Sequence, residues 1–241
     1  MSRAAQGTSM LGPLDYFLWI TSFLLEAWVV FQVISSRSFA RYYPVALYMF
    51  SAAFVECVHY VCITRFGVSS PQYHFVYFCT GTLLTILLFW VIIQFYQQAF
   101  SGLNIRRYIR GGAAILILAT ALFSCVAVRA HNGRLTQQFA VEFGQDLYFV
   151  GVVLTYLLWA VILYFRETRA RLVHLVLALG VYFSGTAASY ALRNLFPSLH
   201  TSFQWALPIL GTLLPLAWAC TFWKVPEDSR ILAYQLAGRT P

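Results

Sequence analysis

Apolar residues in this chain occur in seven long, nearly uninterrupted runs, separated by short segments rich in arginine and polar side chains. A helix needs about twenty mostly apolar residues to cross the hydrocarbon core of a bilayer. A strand of a membrane β-barrel would instead show about ten residues of alternating polarity. The pattern therefore predicts seven transmembrane helices. They cover approximately residues 14–34, 43–64, 74–97, 112–128, 145–165, 172–192 and 203–223.

Composition also indicates an all-α integral membrane protein. Of the 241 residues, 60% are hydrophobic and 10% are charged, whereas a soluble domain carries about 25% charged residues. Short connections make consecutive helices antiparallel neighbours, so we predict a single seven-helix transmembrane domain over residues 1–241 with a short tail at 224–241. The predicted partner is the lipid bilayer. The net charge of +8 is attributed to loops that set orientation and not to nucleic-acid binding.

The positions of the cations predict the orientation of the bundle, because lysine and arginine are retained on the cytoplasmic side of a membrane. Eleven of the sixteen lie on the side that holds Arg37, Arg107 and Lys224, and five lie on the side that holds Arg65. We therefore predict an exterior N-terminus, a cytoplasmic C-terminus and a multi-pass location in the plasma membrane.

The first three and last three predicted helices share sequence anchors when the chain is shifted on itself by about 130 residues. In both halves an aspartate opens a span, an arginine ends a span, and a Gly-Thr-Leu-Leu segment lies within a span. These anchors predict a parallel repeat with the fourth helix as its linker. The pairs are Asp15 with Asp146, Arg65 with Arg193, and residues 81–84 with 211–214.

This layout resembles the 3+1+3 parallel-repeat plan of SWEET-type sugar transporters. The resemblance is one of topology, because the Pro-Gln pair of this chain, Pro71-Gln72, lies in the loop between spans two and three, which is not where the related PQ-loop proteins carry theirs. It implies a small-solute carrier with a substrate site marked by the repeats.

Seven helices with an exterior N-terminus are also typical of rhodopsins and G-protein-coupled receptors. A retinal protein needs a lysine inside the last helix to form the Schiff base. The only lysine here, Lys224, lies at the end of span seven. Retinal is therefore excluded as a ligand, and the sequence predicts no other cofactor.

Two glutamates fall inside the predicted spans, Glu26 near the middle of span one and Glu56 in span two. An ionisable group at the centre of a membrane helix costs about 2.5–3.5 kcal/mol by insertion scales and marks a candidate functional site. Helical spacing places Ser22 on the face of Glu26 and His59 on the face of Glu56. Structural packing is the alternative role. Without a cation at that depth, we expect both carboxyls to be protonated or to accept hydrogen bonds, with Thr82, Thr85 and Tyr156 as candidate donors.

Two pairs of side chains are weak candidates for binding a metal ion. Glu56 and His59 have the three-residue spacing of metal ligands on bundle helices, and His74 and His200 are predicted near the same exterior surface. These four residues are the candidate metal ligands, although the chain has no HExxH or comparable catalytic motif.

A structural ion pair is predicted between Arg193, which ends span six, and Asp146, which opens span five at the same exterior level. Residues 129–144 between spans four and five are predicted to form a long exterior loop.

Three functions remain open at this point. The first is a carrier of an unknown small molecule with a polar site near the membrane midplane. The second is a non-catalytic sensor or interaction subunit that acts through a membrane-protein partner. The third, which we favour least, is an intramembrane metal-dependent enzyme. The residues predicted for the ligand or proton site are Ser22, Glu26, Glu56, His59, Thr82 and Thr85.

Overall fold

The computed structural model describes residues 12–36, 39–67, 70–100, 106–130, 135–164, 169–196, 205–227 and 229. Within these ranges the chain is almost entirely helical, which confirms the predicted all-α class. Seven helices are described. They are α1 (Pro13–Ser35), α2 (Phe39–Phe66), α3 (Pro71–Ala99), α4 (Arg106–Ala130), α5 (Leu135–Tyr164), α6 (Ala170–Leu195) and α7 (Ala206–Lys224).

Every helix except α4 is long and apolar enough to cross a membrane. In α4 the described apolar stretch covers only Ala114–Val126. The chain is therefore a multi-pass integral membrane protein, and its described residues include six membrane-length helices. A seventh crossing at α4, the direction of insertion and the plasma membrane as location stay predictions.

The helices generally extend a few residues beyond the predicted spans. At the start of α3, for example, the hydroxyl of Ser70 accepts a hydrogen bond from Tyr73 N at 3.1 Å, and Pro71 occupies the first helical position. The prediction of a long loop over residues 129–144 is wrong, since α5 begins at Leu135. Its first turns carry polar residues that lower the hydropathy without opposing a helix, so hydropathy located the span and not the helix.

Six helices form a closed ring in the order α1, α2, α3, α5, α6 and α7, and α7 packs back against α1. The α4 helix lies outside this ring, mainly against α5 and less extensively against α3. The ring order is unchanged when α1, α2 and α3 are exchanged with α5, α6 and α7. A parallel repeat requires that property, and the repeat itself stays a prediction.

Along its axis, the ring of helices divides into two halves. One half of its length is filled with apolar side chains and is called the apolar half below. The indole of Trp218 is buried there and donates to Leu175 O at 3.2 Å, while Phe89 packs edge-on against Phe183 with ring centroids 6.1 Å apart. All six ring helices contribute to this half. Its buried residues include Val29, Val33, Val45, Met49, Leu88, Phe89, Ile92, Phe95, Leu158, Ile162, Leu172, Leu175, Leu179, Leu214 and Trp218.

The apolar half ends at a group of arginines, Arg41, Arg169 and Arg171, which we call the arginine end. The buried guanidinium of Arg171 donates twice to Val225 O, from Nε at 2.9 Å and from Nη2 at 2.7 Å. It also lies over the ring of Phe222, 5.4 Å from its centroid. Both partners lie at the end of α7, so the contacts of Arg171 join α6 to that end and also satisfy its buried charge.

The first residues of the predicted tail pack across the arginine end. Glu227 accepts a hydrogen bond from Arg41 Nη1 at 2.7 Å, and Ser229 O accepts one from Ala170 N at 3.0 Å. These contacts connect the segment after α7 to the starts of α2 and α6. Residues 230–241 of the predicted tail lie outside the described residues.

Candidate functional site

Over the other half of its length, the ring of helices surrounds a cavity of about 670 Å³, which is lined by all six ring helices. Small-molecule sites in proteins commonly measure about 300–1,000 Å³. Around this cavity the structure brings together the six predicted site residues, which come from α1, α2 and α3. We call this part of the ring the cavity half. Its predicted residues are Ser22, Glu26, Glu56, His59, Thr82 and Thr85.

The two glutamates form a carboxyl pair between α1 and α2. Glu26 is only 6% exposed, and its Oε1 accepts a hydrogen bond from Ser22, one helical turn earlier, at 3.3 Å. Glu56 lines the same cavity and interacts electrostatically with the Glu26 carboxyl. The Oε2 atoms of Glu26 and Glu56 are buried and have no hydrogen-bond partner among the described residues. The pair therefore has two acceptor atoms to offer.

The hydroxyl donor that the structure gives to this pair is Ser22. Thr82 donates to Phe78 O at 2.9 Å and Thr85 donates to Gly81 O at 2.9 Å, because a threonine inside a helix readily bonds to the carbonyl one turn earlier.

Tyr156, the third predicted donor, lies elsewhere. Its side chain is 63% exposed on α5, and it lines a separate groove between α5, α6 and α7 instead of the central cavity. The expectation that this tyrosine reaches the carboxyls is therefore wrong.

His59 is held against the cavity wall by α3. Its Nε2 lies 2.9 Å from the Thr80 hydroxyl, and its ring lies 5.3 Å from that of Tyr77. The Thr80 hydroxyl itself donates to the backbone, with Val76 O at 2.7 Å. We therefore assign the proton of this contact to His59 Nε2, which leaves Nδ1 as an acceptor.

No group of three or more His, Cys, Asp or Glu side chains able to hold a metal occurs among the described residues. His74 lines the cavity but is exposed, and His59 is engaged by Thr80. His200 lies outside the described residues. The described geometry therefore adds nothing in favour of a metal site at Glu56 and His59.

The side chain of Arg193, the predicted partner of Asp146, lies outside the described residues. Asp146 Oδ2 instead lies 2.6 Å from the Ser124 hydroxyl of α4. This contact attaches α4 to the ring. The ion pair with Arg193 stays a prediction.

Sequence reasoning did not assign to the site the tyrosines that line the cavity. The hydroxyl oxygens of Tyr148 and Tyr182 lie 3.4 Å apart, and the Tyr148 ring lies 5.6 Å from that of Tyr190. Tyr48 of α2 also lines the cavity and lies within electrostatic reach of Glu26 and Glu56. Aromatic residues in an apolar run look the same whether they face lipid or a cavity, so only the ring order reveals this cluster.

Two glycines of the predicted repeat, Gly81 and Gly211, also line the cavity. A Cβ atom added at either position would have no atom within 4 Å. The absence of side chains here therefore widens the cavity instead of permitting close helix packing.

Comparison of the chain with protein-family models, with curated proteins and with solved structures finds no match.

Proposed function

We propose that this protein is a small-solute carrier and that the cavity is its substrate site. The observation that carries the proposal is the carboxyl pair of Glu26 and Glu56, each with a buried oxygen that lacks a hydrogen-bond partner among the described residues. Ionisable groups inside membrane helices are costly and typically mark substrate or ion pathways.

The division of the ring supports the same function. Alternating access requires a central site that opens to one side of the membrane at a time. The apolar half would serve as the barrier on one side of that site. Glu26 lies one helical turn from Val29 on α1, and Thr85 lies one turn from Leu88 on α3, so the carboxyl pair is at the border between cavity and barrier.

The proposal is tested by measuring whether the barrier opens. In a background without the five native cysteines, Met49→Cys places a thiol in the apolar half and Gly211→Cys places one in the cavity. Sealed vesicles are then treated on either side with a membrane-impermeant maleimide. Ser35→Cys, at the exposed end of α1, identifies the side that faces the arginine end.

A carrier samples both access states, so Met49→Cys should react from the side of Ser35→Cys, and Gly211→Cys should react from the opposite side. A sensor binds its ligand without admitting water along the whole axis. Complete protection of Met49→Cys, while Ser35→Cys is fully labelled, would reject the carrier and favour the sensor.

A further inference from the structure

We propose that the substrate is a protonated amine, a monovalent organic ammonium ion that binds between Glu26 and Glu56 with its organic body against the tyrosines. This inference rests on the proposed function in so far as the cavity is the substrate site. Charge, unsatisfied acceptors and aromatic lining favour this class over sugars and carboxylates.

The carboxyls of the cavity can pair with a cation. Both line the cavity and interact electrostatically with each other, and no lysine or arginine occurs among the described residues that line it. Two neighbouring carboxylates repel each other, and a carboxylate held away from water is stable only when it is paired and hydrogen-bonded. A ligand cation placed between the two carboxyls supplies the missing partner.

The acceptors select an ammonium group that carries N–H bonds. Glu26 is 94% buried and keeps its Oε1 bonded to Ser22, while the Oε2 atoms of Glu26 and Glu56 have no partner within the described ranges. An ammonium group has donors but no acceptor. It can therefore supply these oxygens with charge-assisted hydrogen bonds.

The tyrosines provide the second contact for such a ligand. Tyr48 and Tyr182 line the same cavity as the carboxyl pair, and Tyr48 lies within electrostatic reach of both carboxyls. Aromatic faces attract cations and also bury an apolar body. The volume of about 670 Å³ leaves room for an organic group the size of an aryl ring beside the ammonium.

The binding test uses three probes of similar shape and different charge: 2-phenylethylamine, which is cationic, 2-phenylethanol, which is neutral, and phenylacetate, which is anionic. Calorimetric titration of the purified wild-type protein in detergent is compared with titration of empty detergent micelles. We expect the amine to bind at least about tenfold more tightly than either analogue, since hydrogen bonds to charged groups are the strong ones. Equal affinity for the alcohol, or preference for phenylacetate, would overturn the proposal.

Variants assign the effect to the carboxyl pair. Glu26→Gln and Glu56→Gln keep the size and acceptor oxygen of the side chain but remove its charge, so each should lower amine affinity by at least about tenfold and abolish the preference over the alcohol. Glu227→Gln makes the same change at the arginine end and should leave the preference intact. Unchanged preference in both cavity variants would place the amine elsewhere and reject the proposed site.

The result is independent of transport because binding is measured in detergent. Amine selectivity together with complete protection of Met49→Cys would keep the ligand class and reject the carrier. Labelling of Met49→Cys without amine selectivity would support the carrier and reject the amine as its substrate. If a glutamine variant fails to fold, the comparison of the three probes on the wild-type protein still decides the ligand class.

Discussion

The two halves of the ring are built from the same six helices but have opposite chemistry. In the cavity half, carboxyls, tyrosine hydroxyls and two open glycines surround about 670 Å³ of space. In the apolar half, side chains such as Phe89 and Trp218 have no exposed surface. Each helix passes from one chemistry to the other along its length, so the boundary lies at a common level across the ring.

This difference indicates that the apolar half provides stability and that the cavity half provides binding. Lipid tails are as apolar as the helix faces, so membrane helices associate through close packing and a few polar contacts. Such packing is concentrated in the apolar half and at the arginine end. The cavity half contains empty space, and the unpaired carboxyl oxygens that line it cost stability instead of adding to it. We therefore expect substitutions in the apolar half to change stability and those in the cavity half to change binding.

The largest effect is expected for Phe89→Ala. Phe89 is 0% exposed and packs against Phe183, and truncating a buried phenylalanine costs about 3–5 kcal/mol because of the void that it leaves. The midpoint of thermal unfolding in detergent micelles should fall sharply. Phe54→Ala, at a lipid-facing position that is 62% exposed, makes the same truncation without a void and should change the midpoint little. Similar losses in both variants would contradict the assignment of stability to the apolar half.

Arg171→Leu should have the next largest effect. The change removes both hydrogen bonds to Val225 O and the contacts with the rings of Tyr42 and Phe222. A loss of about 2–3 kcal/mol is expected, since hydrogen bonds to charged groups contribute about 1.5–3 kcal/mol. Arg171→Lys keeps the charge and should recover part of that stability. Arg65→Leu, at an exposed arginine beyond the cavity half, is the control, and its unfolding midpoint should match that of the wild type.

Gly151→Ala tests the close packing between α5 and α6. A Cβ atom at Gly151 would overlap the buried ring of Phe183, so the ring or the helix must shift, at a cost of about 1–3 kcal/mol. Gly211→Ala adds the same atom beside open space and gains up to about 1 kcal/mol of helix propensity. Opposite shifts of the two unfolding midpoints are expected. A destabilised Gly211→Ala protein would show that the cavity is narrower than described.

The helices could be predicted from the sequence because each apolar run is long enough to be recognised without knowledge of its tertiary contacts. The start of α5 was missed since hydropathy reports only the part of a helix that matches lipid. The position of α4 outside the ring could not be predicted, because it depends on contacts such as that between Ser124 and Asp146, and a serine within an apolar run does not identify its partner.

The site was predictable to a similar extent. The four-residue spacing of Ser22 and Glu26 placed both on one face, and the structure joins them by a hydrogen bond. Tyr148 and Tyr182 are 34 residues apart and share the cavity only because α5 and α6 are neighbours in the ring. The orphaned carboxyl oxygens also depend on how helices pack, so the sequence indicated the residues while the ligand class required their surroundings.

The smallest effect is expected for Glu227→Gln, which separates the surface contacts of the arginine end from its buried contacts. The ion pair with Arg41 is short, at 2.7 Å, but the two side chains are 28% and 43% exposed. Water and salt screen such a pair, so its loss should cost less than about 1 kcal/mol.

At about 1 M salt the Debye length falls to about 3 Å, and the unfolding midpoints of wild type and variant should then converge. Arg171→Leu should remain destabilised under the same conditions, because its hydrogen bonds are buried. If Glu227→Gln instead destabilises the protein as much as Arg171→Leu, and salt does not close the gap, then docking of the segment after α7, and not the buried arginine, closes the apolar half.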